Sequence, residues 1–199
     1  IINNETKILI GTQLISKGFH FPNLNCIVIL DIDLASRGFD IRSVEKTVQL
    51  YHQLSGRAGR EGKPSKVYFQ TINKKNDVIS QITNPDPYIF LEKELELRKK
   101  FKLPPFERFV SIIISCTDAS ISEKTAFDLV TLLKEKTQGN ILGPVNAPIY
   151  KIRGKYRNRI LVRSNKNINI QQQIQNIIKN FKLPAQIKLS VDVDPINFN

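Results

Sequence analysis

Cys26-Ile-Val-Ile-Leu-Asp31-Ile-Asp33 is an unbroken apolar run that ends on carboxylates. Strands in a parallel sheet read this way, because helices pack above and below them and leave no solvent face for polar residues to alternate onto. Working outward, Lys7-Ile-Leu-Ile-Gly-Thr12 and Lys66-Val-Tyr-Phe-Gln-Thr71 repeat the pattern. Between the second and third runs, Val44, Val48, Tyr51 and Leu54 or Ser55 return near one helical face. The alternation predicts an α/β region built on a parallel sheet, an architecture in which ligands gather at the carboxyl ends of the strands.

That helix leads into Gln53-Leu-Ser-Gly56-Arg57-Ala-Gly59-Arg60. Two arginines three residues apart, each preceded closely by glycine, suit a helix end that offers guanidiniums to a nucleotide phosphate. The planar fork of arginine fixes phosphate oxygens in orientation and keeps its charge, whereas lysine acts as a point charge. The same string also suits a glycine-capped helix end whose basic residues oppose the helix dipole in solvent. Both readings stay open on these eight residues. A superficial P-loop at Gly56–Lys63 is set aside, since the glycine spacing is too long and Pro64 stands where a Mg²⁺-binding hydroxyl is needed. Upstream, Thr12 and Gln13 leave a strand end, where a hydroxyl and backbone amides can hold a nucleic-acid phosphate, and Lys17-Gly18 allows close approach.

Asn84-Pro-Asp86-Pro87 breaks the chain, with Asp86 able to cap a helix and Pro87 suited to its first turn. Glu92, Glu94 and Glu96 then precede Arg98, Lys99 and Lys100, the charge order that matches the helix dipole. Leu103-Pro-Pro-Phe106 stops this helix. The expected division is therefore residues 1–73, a helical linker at 74–105, and a second domain at 106–199.

The second domain has another rhythm. Val110–Cys116 predicts a strand, and Ser120-Ile-Ser-Glu123 a capping box opening a helix through Phe127, Val130 and Leu133 toward Gly139. Ala147–Ile152 and Arg159–Arg163 predict two strands joined through Arg153-Gly-Lys-Tyr156. Ile170, Ile174, Ile177 and Phe181 mark a second helix, and Ile187, Leu189, Val191 and Val193 alternate in a last strand. The order βαββαβ is a ferredoxin-like α+β plan. Six basic residues, Lys151, Arg153, Lys155, Arg157, Arg159 and Arg163, interleave with Tyr150 and Tyr156 without one acid. Guanidiniums for phosphates and a tyrosine for a base make a single-strand platform, with Arg153, Lys155, Tyr156, Arg157 and Arg159 as its contacts. Basic residues guarding a sheet edge against aggregation give the competing account.

The chain carries a net charge of +12 over 199 residues, which points to a polyanionic partner. Cys26 and Cys116 are its two cysteines, too few and too far apart for a zinc cluster, and they read as buried apolar filler in a reducing compartment. The apolar runs are far too short to span a bilayer, so a cytoplasmic location and no membrane partner are expected. Beginning at Ile1 and running almost at once into a buried-type strand, the chain reads as a piece of a larger protein. His20 and His52 lack ligand-spaced partners, and Asp192 and Asp194 are expected to end the sheet, so no metal site is assigned.

Gly11–Leu24, Asp31-Ile-Asp33, Asp40–Glu45, Gln53–Lys63, Leu103–Phe106, Leu142-Gly-Pro-Val145, Arg153-Gly-Lys-Tyr-Arg157 and Asp192-Val-Asp-Pro195, in this order, resemble the C-terminal part of the primosomal replication-restart helicases, the PriA family. The first and fourth of these resemble motifs V and VI of superfamily 2 helicases. The resemblance implies a partial RecA-like helicase lobe 2 followed by the small α+β domain. It implies ATP-driven 3′-to-5′ movement on DNA, recognition of stalled or branched forks, and contacts to primosome proteins and single-strand-binding protein. Carried over by position, Thr12 and Gln13 touch the translocated strand, and Lys17 and Gly18 line the cleft between lobes as part of the nucleotide-binding set. Gln53, Gly56, Arg57 and Arg60 face ATP, with Arg57 or Arg60 as the arginine finger. ATP and Mg²⁺ would be held mainly by the first lobe, whose Walker A loop and acidic motif are not in this sequence. The family's Zn²⁺ ligands are likewise not in this sequence, and the fragment alone is expected to be inactive. Two alternatives remain: an RNA helicase lobe, for which Asp33–Ile41 resembles motif V of the DEAD-box enzymes, and an RRM-like binding module without enzymatic activity.

Overall fold

The four residues Cys26–Ile29 form β1 and pair in parallel with β2, Lys66–Phe69, from Cys26↔Lys66 to Ile29↔Phe69. A computed structural model describes residues 7–12, 24–33, 40–55, 66–73, 77–83 and 86–197. The helix α1, Ser43–Ser55, crosses between the two strands. Its start is fixed by Asp40, whose carboxylate accepts the Arg42 amide at 2.9 Å and the Lys46 ammonium at 2.6 Å. One face of α1 is apolar at helical spacing. Val48 packs there with Val78 of α2, Asp77–Thr83, and Phe90 of α3, Pro87–Lys100. Tyr51 meets Phe69 of β2 edge-on, with ring centroids 5.3 Å apart.

Three expectations change in this region. Lys7–Thr12 forms no ladder among the described residues, and Ile8 and Ile10 are 79% and 89% exposed. The apolar pattern reports a capacity for burial, but a strand also needs a neighbour for its backbone groups. The β1 run stops at Ile29, because Asp31 takes φ 49 and turns the chain. Asp33 lies beyond that turn, buried, and accepts the Thr71 hydroxyl at 3.0 Å and the Ile72 amide at 2.8 Å. It thus ties the two strand ends together. Cys26 is exposed rather than buried, whereas Cys116 is buried as expected.

The chain divides into two compact units, Ile1–Glu92 and Lys93–Asn199, and the division falls within α3. The start of α3 is capped by Asp86, which accepts the Tyr88 amide at 2.9 Å. Near its end, buried Arg98 donates to Glu94 at 2.8 Å and to the Pro104 carbonyl at 3.3 Å. Lys102 at φ 54 ends the helix, and the Leu103 amide returns to the Arg98 carbonyl at 2.8 Å.

The second unit is βαββαβ: β3 (Glu107–Cys116), α4 (Ala119–Lys136), β4 (Asn140–Ile152), β5 (Lys155–Asn165), α5 (Ile170–Asn180) and β6 (Lys188–Val193). Its sheet has the order β4-β5-β3-β6, antiparallel throughout, with the first and third strands of the unit in the middle. This is the ferredoxin-like arrangement. Period-2 alternation sends Val110, Ile112, Ile114, Ile160 and Val162 to one face. There they meet Leu129, Val130 and Leu133 of α4 and Ile170, Ile174 and Ile177 of α5 in a single core. Full burial of such a side chain contributes roughly 1.5–3 kcal/mol.

Boundaries differ from the sequence reading at two places. The N-cap of α4 is Asp118, which accepts the Ile121 amide at 3.1 Å, so the Ser120 capping box is not used. A carboxylate two residues earlier caps the Ile121 amide instead and adds favourable charge at the helix start. The strands β4 and β5 are also longer than expected, and the turn shrinks to Arg153-Gly154. With φ 50 and 78, these two residues have the positive angles of a type I′ hairpin turn, and Ile152 pairs with Lys155.

Candidate nucleic-acid interface

The β4–β5 hairpin decides where the basic residues go. On β5, Asn158, Ile160 and Val162 are buried on the helix face, so alternation sends Lys155, Arg157, Arg159 and Arg163 to the opposite face. The cross-strand partners of this second set are Ser115 for Arg157, Ile113 for Arg159 and Phe109 for Arg163. On the other side, Arg159 pairs with Val145. Burial pulls the Arg159 pKa below the ordinary arginine value. Arg157 Nη1 donates to the Ile149 carbonyl at 3.2 Å, and Arg163 pairs with Glu107 at 3.0 Å. Lys188, Ser190 and Asp192 of β6 register against Ser115, Ile113 and Ser111 and so extend the same face.

Tyr156 is not with them. It belongs to the other parity and pairs across the hairpin with Lys151. The Lys151 ammonium donates to the Tyr156 hydroxyl at 3.0 Å and lies 4.4 Å from its ring centroid. Tyr150 packs against the same ring at 5.4 Å. The expected platform, with tyrosine and guanidiniums on one edge, is therefore divided between two faces. The physical reason is the strand period: Tyr156 is one residue from Lys155 and Arg157, and neighbours on a strand point apart. Arg153 occupies the turn itself.

Two features that sequence reading missed hold this hairpin. Gly143, at φ 105, lies where β4 and β5 shift register between Leu142 and Val145. A methyl group there would stand 2.9 Å from the Arg159 carbonyl oxygen, so only glycine permits that approach. On the helix face, buried Ser122 of α4 donates to Asn158 Oδ1 at 2.7 Å, and Asn158 Nδ2 donates to Asn146 Oδ1 at 3.3 Å. This network joins α4, β5 and β4 directly behind the arginine row. Asn158 between Arg157 and Arg159 was the available signal, since an amide at a core parity needs partners.

Asp194 closes the sheet. At φ 51 it accepts the Phe109 amide at 3.2 Å, returns its own amide to the Phe109 carbonyl at 2.7 Å, and pairs with Arg108 at 3.3 Å. This is the sheet-ending role read from the sequence, now with named partners.

In the first unit, Gln53 is exposed on the last turn of α1, and Thr12 is exposed. Gln13, Lys17, Gly18, Gly56, Arg57 and Arg60 lie outside the described residues. Burial, with Asp31 and Asp33 nearby, pushes the Tyr51 hydroxyl up from its ordinary value. Among the described residues, no group of three or more His, Cys, Asp or Glu is placed to hold a metal ion, and no helix is long and apolar enough to cross a membrane.

Comparison with known proteins accounts for both units. Residues 2–62 match the helicase conserved C-terminal domain, and residues 99–196 match the primosomal protein N C-terminal domain. The first unit is accordingly part of a RecA-like lobe with a parallel sheet, and the second a small α/β domain. Curated relatives named replication restart protein PriA align over nearly the whole chain. The protein of Rickettsia conorii is 40% identical over 196 residues, 98% of this chain and 30% of that protein. That of Haemophilus influenzae is 30% identical over 198 residues, 98% of this chain and 27% of that protein. That of Bacillus subtilis is 31% identical over 196 residues, 96% of this chain and 24% of that protein. The chain thus spans under a third of the length of these relatives.

Proposed function

From a chain that belongs to the PriA family of replication restart proteins, we propose the C-terminal part of an ATP-dependent 3′-to-5′ DNA helicase that recognises stalled or branched forks and restarts replication. The observation that carries the DNA role is the row Lys155, Arg157 and Arg159 on one face of the β5 strand, in a chain of net charge +12. Arg153 at the hairpin turn extends the row, and Tyr156 keeps the hairpin in shape through Lys151. The cationic face supplies affinity for phosphates without selecting sequence.

The nucleotide role rests on α1. By burying Val48 and Tyr51, this helix leaves Gln53 exposed on its last turn and leads the chain into Gly56, Arg57 and Arg60. These residues fit the nucleotide as donors to phosphate oxygens: Gln53 orients, and Arg57 or Arg60 neutralises the charge that grows during transfer of the terminal phosphoryl group. Thr12, Gln13, Lys17 and Gly18 contact the translocated strand and the inter-lobe cleft. ATP, Mg²⁺ and the family's Zn²⁺ are bound mainly by parts of the protein outside this sequence. Primosome proteins and single-strand-binding protein are the partners, in the cytoplasm.

Fluorescence anisotropy of a labelled DNA fork with the 199-residue chain tests the interface. The double variant Arg157→Gln/Arg159→Gln should bind at least tenfold more weakly, since each charge-assisted contact is worth about 1.5–3 kcal/mol. Unchanged affinity would exclude this face.

An RRM-like module is the second reading that the topology permits. Aromatic rings on the two central strands would be needed for base stacking. On the face away from the helices, β5 offers Arg157, Arg159, Leu161 and Arg163, and the one ring of β3, Phe109, is 3% exposed.

A further inference from the structure

Granted the DNA interface just proposed, we infer that the β5 face reads the phosphate backbone alone, holding a nucleic acid strand through a linear cationic track with no base stacked on the protein. Three observations carry this. First, Lys155, Arg157 and Arg159 occupy alternate positions on one strand. Alternate residues repeat every 6.6–6.8 Å, roughly twice the strand rise. A row of this kind matches a chain of phosphates, whereas a single phosphate group calls for convergent donors. Second, the hairpin tyrosines pack on each other and on Lys151, although Tyr150 keeps 37% of its surface exposed. The Tyr156 ring has the Lys151 ammonium at 4.4 Å and Tyr150 at 5.4 Å, and its hydroxyl is engaged by Lys151 at 3.0 Å. A base stacking on the Lys151 side of the Tyr156 ring would displace a cation–π contact. Third, the cross-strand neighbours of the track are Ile152 for Lys155, Ser115 for Arg157, and Ile113 and Val145 for Arg159, none of them a ring.

The acids on this face do not disrupt the track. Glu107 is taken by Arg163 at 3.0 Å, at the far end from the hairpin. Asp192 registers against Ser111, again away from Lys155 and Arg157. At the hairpin end, Lys188 registers against Ser115, which itself pairs with Arg157, so a further positive charge flanks the row. The Ser122–Asn158–Asn146 network lies on the opposite face of this segment and holds Asn158 at the parity that places Arg157 and Arg159 on the face away from the helices.

The test uses the 199-residue chain with two probes, an oligothymidylate of about 20 nucleotides and an abasic strand of the same length and charge. The abasic strand should bind within about twofold of the oligothymidylate, because the phosphates are unchanged. Were bases stacked on the protein, each one lost would weaken binding about 5- to 150-fold, and such a deficit overturns the inference. The salt dependence gives a second readout. Replacing Arg157 or Arg159 by Gln should lower the slope of log affinity against log salt by about 0.7 on both probes. A variant slope that falls on neither probe overturns the DNA interface itself. A deficit confined to the abasic strand, with the slope change intact, overturns only the backbone-reading inference.

Discussion

Gly143→Ala is the substitution whose cost follows most directly from the geometry. Gly143 has φ 105, a conformation that costs an L-residue about 1–3 kcal/mol. The added methyl would also stand 2.9 Å from the Arg159 carbonyl oxygen and 3.2 Å from the Val145 nitrogen. Both are backbone atoms, so relief requires β4 to draw away from β5 and weaken at least one cross-strand bond, a further loss of about 0.5–1.5 kcal/mol. The sum is about 2–4 kcal/mol. Gly154→Ala is the natural control, because its φ is 78 but nothing lies within 4 Å of the new methyl. Its cost should be the conformational part alone, about 1–2 kcal/mol. Urea unfolding followed by circular dichroism reads the difference. With a slope of about 2 kcal/mol per molar urea, Gly143→Ala should move the second unit's midpoint down by about 1–2 M. Because Val145 pairs with Arg159, its fork affinity should fall as well. Equal midpoint shifts for the two variants would refute the close-approach argument.

Three further outcomes follow from the same structure. The raised Tyr51 pKa means that the folded state holds the phenolic proton more tightly than the unfolded chain does. Its stabilisation is complete below the ordinary value of 10.0 and is lost as pH rises through the folded-state value. Tyr51→Phe, which keeps the edge contact to Phe69, should flatten this alkaline loss in urea midpoints, and identical pH profiles would count against it. Asp194→Ala should destabilise the second unit by about 1–2 kcal/mol, because it strips the Phe109 amide of an acceptor, removes the charge paired with Arg108, and leaves φ 51 to a residue that disfavours it. Asp194→Asn, which keeps an acceptor and tolerates that angle, should lose less than half as much, and an equal loss would point elsewhere. Ser122→Ala leaves buried Asn158 without its hydroxyl partner and should cost about 1–3 kcal/mol, read by thermal melting; a melt within a degree or so of the parent would argue against the network.

The second unit was largely legible because its core obeys simple periods. Ile170, Ile174 and Ile177 sit at helical spacing, and all three are buried. Leu189, Val191 and Val193 alternate, and they form β6. What escaped reading were features that depend on partners far along the chain. Nothing local marks Gly143 as a close-approach glycine, since the atom it would meet belongs to Arg159. Lys7–Thr12 shows the opposite failure, for its apolar pattern is sound but among the described residues it has no pairing strand. At the hairpin, the basic residues are plain from composition, yet strand parity separates Tyr156 from Arg157 and Arg159. That separation becomes visible only once Lys155 is known to begin the strand. At α4, two capping signals lay two residues apart, and Asp118 prevailed over Ser120. The residues assigned to the nucleotide, Arg57 and Arg60, lie outside the described residues and rest on motif and family.

The proposed pairing of a DNA-binding sheet with arginines that serve ATP hydrolysis is read out by the DNA-stimulated ATPase of the full-length protein carrying Arg60→Ala. Loss of an arginine finger typically costs about 10³–10⁵ in turnover. Stimulated hydrolysis should be almost completely lost, with fork affinity close to that of the parent protein. Parental turnover at saturating fork, in Arg60→Ala and in Arg57→Ala alike, would remove both arginines from the hydrolytic site.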